Sequence, residues 1–188
     1  MKSKRVKSLL IGVLVVCSGL VYAAEWEMFP MAKDNFAFNF TFAATTGDVD
    51  PKEDISTLKN SGVVGAQLSF ECPWFSSPVG NLRTHFNHNI YELTAGKIKT
   101  FEINPHWFND HEGDGVSYGP GLGAGYIWND FNSDKLYSIN ALFDVEYRKG
   151  KLFAGVGVRY MWTQSKALGA LNGFDNSLVQ AKLGVNFY

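Results

Sequence analysis

Eight charged residues fall on the polar side of stretches that alternate apolar and polar positions: Glu71, Arg83, Glu102, Asp144, Glu146, Arg148, Arg159 and Lys182. Charges of both signs gathered on one face could line a path for a solute or a proton. The other chemistry open to them is mutual neutralisation, because an unpaired buried charge is costly. The balance of four acids against four bases favours a closed polar core. His85 and His106 share that polar side, with Glu71 near them in order. A metal centre takes three or four converging ligands, and two imidazoles alone read as histidines satisfied within the core. Asp110-x-Glu112-x-Asp114-Gly115 begins like a calcium loop, but its twelfth position is Gly121, where a bidentate acid is required. It reads as a polar turn. Lys97 and Lys99 offer ammonium groups that could pair with phosphate. The acids Asp48, Asp50, Glu53 and Asp54 read as a solvated hairpin tip.

The elements that carry these residues are strands. Phe36, Phe38, Phe40 and Phe42 occupy every second position, with Ala37, Asn39, Thr41 and Ala43 between them. Period two with this contrast marks a strand with one apolar and one polar face. The pattern recurs around Val64–Phe70, Phe101–Trp107, Tyr118–Trp128, Tyr137–Tyr147, Leu152–Trp162 and Val179–Phe187. Residues 82–93 are less regular: Arg83, His85, Asn87 and Asn89 form a polar face, while His88 falls on the other side, which suggests a bulge. Gly119, Gly121, Gly123 and Gly125 make a stripe without side chains. Its expected use is to admit bulky residues such as Phe153 and Met161 from another strand.

These segments reach about 10–12 residues, longer than the usual soluble strand and matched to a tilted membrane span. Aromatics gather near their ends, as at Tyr126, Trp128, Tyr160 and Trp162, where interfacial girdles lie. Backbone polar groups in lipid must all be paired, so such strands can span only as a closed barrel. The expectation is an all-β fold, a closed antiparallel transmembrane barrel of eight strands. Eight strands enclose space only for side chains, which again favours a filled interior. Connections 45–61 and 165–176 are the long ones, and Lys149-Gly150-Lys151 is a tight turn at the opposite end.

Composition agrees with this reading. The 188 residues carry a formal net charge of −1, are 46% hydrophobic and 15% aromatic, and have a mean hydropathy of −0.09. Disorder is excluded by the apolar content. A basic nucleic-acid binder is excluded by the slight excess of acids. Residues 1–23 read as a signal peptide: Lys2, Lys4, Arg5 and Lys7 precede an apolar run, and Val21-Tyr22-Ala23 supplies small residues before Ala24. The barrel is assigned to residues 24–188. Removing the leader takes Cys17, so Cys72 has no partner for an intrachain disulfide.

With its leader, its alternating strands, the glycine-rich run at 119–126 and a final strand ending Val185-Asn186-Phe187-Tyr188, the chain resembles the small eight-stranded outer-membrane barrels of Gram-negative bacteria. Its C-terminal half is similar to their lipid A deacylase branch, in the order of a glycine-rich strand, a charged strand and Gly157-Val158-Arg159. The resemblance implies a bacterial outer-membrane location, with lipid and lipopolysaccharide as surroundings. It also implies insertion by the barrel-assembly machinery through the C-terminal strand, and lipopolysaccharide phosphates near Lys97 and Lys99. It implies no cofactor. One departure concerns chemistry. Where the deacylases carry His-x-Ser, this chain has Trp162, Thr163 and Gln164, and no histidine lies beyond His111. A serine nucleophile needs a base within hydrogen-bond reach, so the expected role is non-enzymatic, structural or surface-interacting. Lipid A hydrolysis and a narrow solute pore are the alternatives.

Overall fold

The computed structural model describes residues 27–28, 40–51, 62–77, 80–93, 96–109, 114–130, 133, 135–164, 167–168, 171–172 and 174–187. The leader assigned to residues 1–23, and Phe36, Phe38, Glu53 and Asp54, lie outside them. Eight long strands are present among the described residues: β1 Phe40–Pro51, β2 Gly62–Ser77, β3 Gly80–Leu93, β4 Gly96–Phe108, β5 Gly115–Asn129, β6 Lys135–Lys149, β7 Leu152–Thr163 and β8 Asn176–Phe187. Each pairs antiparallel with the next, and β8 pairs back onto β1 from Asn176↔Pro51 to Phe187↔Phe40. The sheet is therefore a closed meander, and none of these strands is left with an open edge. Glu27–Met28 forms a short bridge beside β2, and Ala167–Leu168 pairs with Leu171–Asn172 between β7 and β8.

Alternation sorts the two faces. On the outside stand apolar side chains open to the surroundings, among them Leu122, Ile139 and Leu183, each more than 60% exposed. Apolar exposure repeated from strand to strand forms a belt far larger than a soluble monomer usually shows. Tyr126 lies between Trp128 and Tyr137, with ring centroids 5.7 and 5.6 Å apart, and Tyr160 meets Trp162 edge-on at 4.6 Å. These aromatics sit towards the end of the barrel that carries connections 94–95, 130–134 and 164–175, the loop end. The opposite, turn end carries the β6–β7 reversal. There Gly150 adopts a φ of 53°, which favours a residue without Cβ.

Three expectations need correction. First, β3 has no bulge: its register with β4 runs unbroken from Asn81↔Phe108 to Leu93↔Gly96. His88 belongs on the outer face, where its ring stacks on Trp128 at 5.7 Å and its Nδ1 lies 2.9 Å from the Thr100 carbonyl. The irregularity lies instead in β2, between Glu71 and Ser76. Second, 45–51 is strand rather than loop. Asp48 pairs with Val179 and Asp50 with Ser177, because β8 supplies a ladder that the polar local sequence does not announce. The third concerns the glycine stripe and belongs with the interior.

Candidate functional site

The interior is built in layers from inward positions of successive strands. At the turn end, Arg83 on β3 bonds Glu71 on β2 and, at 2.5 Å, Glu146 on β6. Arg148 on β6 stands 3.8 Å from Glu71 and 3.7 Å from Glu146. The Arg83 guanidinium lies 4.6 Å from the centroid of buried Phe108, so the arginine is packed as well as paired.

In the middle layer His85 and His106 stack with centroids 4.3 Å apart. Asp144 faces both: its Oδ2 lies 3.3 Å from His85 Nδ1 and 3.1 Å from His106 Nε2. The same oxygen accepts from Lys182 Nζ at 2.5 Å. His85 Nε2 lies 3.4 Å from Glu146 Oε1, and His106 Nδ1 donates to the Asn104 carbonyl at 2.9 Å. These side chains are all buried.

Glycines make this layer fit. A Cβ on Gly121 would lie 2.6 Å from the His106 ring, and one on Gly157 would collide with Asp144 Oδ1. A Cβ on Gly123 would collide with Asn104 in the same way. At Gly121 and Gly123 the stripe thus admits side chains from the adjacent strand β4, and at Gly125 Ser138 of β6, not Phe153 and Met161 as the alternation suggested. The reason is register: β4 side chains lean over β5, which pairs His106 with Gly121.

Towards the loop end Glu102 is a hub. Its Oε1 accepts from Arg159, from Thr100 at 2.7 Å and from Asn89 at 3.1 Å, while Oε2 accepts from Asn140 at 3.2 Å and Asn104 at 3.3 Å. Arg159 also donates to the Tyr91 hydroxyl and, at 3.2 Å, to Asn176 Oδ1. A buried carboxylate is tolerable on these terms, because its lone pairs are satisfied and its charge is opposed. Above the hub lies an apolar layer of Val63, Tyr91, Ile98, Ile127, Leu136, Met161, Phe174 and Leu178. Phe174 comes from the β7–β8 connection and meets Tyr91 edge-on at 5.0 Å. Asp175 accepts from the Thr163 amide at 2.7 Å and its hydroxyl at 2.9 Å, and the Phe174 amide donates to Thr163 Oγ1 at 2.7 Å.

All eight charged residues singled out from alternation occupy this interior. Lys97 and Lys99 lie outside, near the loop end, paired with Glu92 at 3.0 Å and Asp130 at 2.7 Å. Trp162 faces outward, Thr163 is engaged by Asp175, and the Gln164 amide donates to the Tyr137 carbonyl at 3.3 Å. Asp114 accepts from the Gly150 amide at 2.5 Å, at the β6–β7 turn, while Asp110 and Glu112 lie outside the described residues. Sequence reasoning missed the convergence of Asp144 on the two histidines and the Phe174 layer. The first follows only from the register of distant strands. A signal for the second was present in Asn172-Gly173-Phe174-Asp175, an aromatic isolated among turn formers.

No family model matches the chain, and no curated protein does. Solved structures do. The N-terminal β-barrel domain of Pseudomonas aeruginosa OprF is similar with a TM-score of 0.55 at 12% identity, over 79% of this chain and 97% of that one. Neisserial surface protein A gives 0.52 at 14% identity, over 80% and 97%. The outer-membrane enzyme PagL gives 0.50 at 14% identity, over 76% and 97%. At such identities the likeness is one of fold: the chain has the fold of outer-membrane β-barrels.

Proposed function

We propose that the chain resides in the bacterial outer membrane as a non-enzymatic barrel with a structural or surface-interaction role, its lumen closed to solutes. The observation that carries this reading is bonding from wall to wall. Arg159 on β7 reaches Tyr91 on β3, and Arg148 on β6 faces Glu71 on β2. In both cases the strands stand opposite each other in the ring. Side chains that meet across the full width occupy the path a solute would need. The belt of exposed apolar residues supports a lipid-facing exterior.

On this reading the final strand β8 is the one the assembly machinery engages. Lys97 and Lys99 would face lipopolysaccharide phosphates, exchanging or sharing their present carboxylate partners. Reconstitution into planar bilayers tests the closed lumen. The expected trace has no stable current steps, and liposomes carrying the protein do not swell in small sugars. Large, steady conductance would overturn the proposal. Lipid A hydrolysis is tested by mass spectrometry of lipid A from cells with and without the protein. An unchanged acyl pattern is expected, and loss of an acyl chain on expression would replace this reading with an enzymatic one.

A further inference from the structure

We propose that His85, His106 and Asp144 form a binding site inside the barrel for one divalent transition-metal ion of the zinc class. Ligands held around a tetrahedral ion at zinc distances lie about 3.3 Å from one another. Asp144 Oδ2 is 3.1 Å from His106 Nε2 and 3.3 Å from His85 Nδ1, and the three ligand atoms all lie within 4.8 Å of each other. A small rotation of either imidazole closes the remaining edge.

The surroundings of the two rings are those a metal site needs. A ligating histidine nearly always donates its other N–H to a carboxylate or a carbonyl. Here Glu146 Oε1 lies 3.4 Å from His85 Nε2, and the Asn104 carbonyl accepts from His106 Nδ1. That second bond orients the ring so that His106 Nε2 is aimed at Asp144 Oδ2, 3.1 Å away. Both His85 nitrogens and His106 Nε2 are fully buried without an aligned hydrogen bond. Two imidazoles with one carboxylate suit zinc or its neighbours, whereas calcium and magnesium prefer oxygen donors throughout.

One group opposes the ion. Lys182 Nζ sits 2.5 Å from Asp144 Oδ2 and occupies a lone pair of the proposed ligand. Metal entry must move that ammonium aside, so Lys182 acts as an internal competitor and sets the affinity. On the closed-lumen reading proposed above, loading belongs to folding.

The full chain refolded in detergent micelles with Zn²⁺ or Co²⁺, then desalted, tests the site. Elemental analysis should give one ion per folded barrel, and bound Co²⁺ should show the intense visible bands of tetrahedral coordination. His85→Gln and His106→Gln, verified as folded by heat-modifiable gel mobility, should lose the ion, while His88→Gln on the outer face should retain it. Lys182→Met should bind about tenfold more tightly, since a nearby positive charge is gone. Ion content unchanged in folded His85→Gln and His106→Gln would overturn the proposal. So would a folded Lys182→Met barrel that takes up none, a result readable even where the histidine variants fail to fold.

Discussion

Arg159 on β7 donates a hydrogen bond to the Tyr91 hydroxyl on β3, the strand on the opposite side of the ring. The same guanidinium is paired with Glu102 on β4, so one side chain ties β7 to the adjacent pair β3 and β4 across the ring. The filled interior is therefore a cross-braced one. Removing a brace should cost more than removing an ordinary surface charge.

Arg159→Met leaves Glu102 buried with four neutral donors and no positive partner. A carboxylate stripped of its partner in a buried pair costs about 3–5 kcal/mol. Urea unfolding from lipid vesicles should show that loss, and Arg159→Met with Glu102→Gln should recover most of it. Equal stability of the single and double variants would show that charge pairing does not govern this layer.

Gly121→Ala should destabilise the barrel by about 1–3 kcal/mol, because the new Cβ meets the His106 ring in a packed interior. Gly62→Ala is the control: nothing lies within 4 Å of its Cβ, and the change should fall within about 0.5 kcal/mol of zero. The same vesicle unfolding assay compares the two.

Phe174→Ala removes a buried aromatic from the apolar layer at the loop end and should cost about 3 kcal/mol, within the range for deleting a buried phenyl ring. Thr163→Val should reproduce part of that loss, since the Thr163 hydroxyl both donates to Asp175 and accepts from the Phe174 amide. Gel-shift thermal titrations read both variants directly.

Leu183→Arg places a charge on the outer face midway along β8. In a bilayer that should cost about 2–4 kcal/mol, as lipid-facing cations do near the midplane. On a water-facing surface the same substitution would be nearly neutral. Vesicle unfolding of Leu183→Arg beside wild type separates the two cases.

Much of this was legible in the residues, and what was not has a common cause. The inward or outward parity of Phe101, Glu102 and Ile103 or of Asp144 and Val145 follows from local alternation, which needs no partner strand. The strand identity of 45–51 was hidden because Thr45, Thr46, Gly47 and Asp48 show no apolar face; pairing with β8 decides it. Which side chain fills the space over Gly121, and which acid approaches His85 and His106, depends on how far each strand is staggered against the next. Stagger is a property of the closed ring, not of any one segment.

Nitroxide labels placed one at a time at Ala154, Val156 and Val158 on the outer face of β7, in barrels reconstituted into vesicles, test the arrangement of the two faces most directly. Collision with oxygen should be high at all three positions, and collision with a water-soluble nickel chelate low. Ready access of the chelate to these positions would mean that the apolar face meets water, and the membrane barrel described here would be wrong.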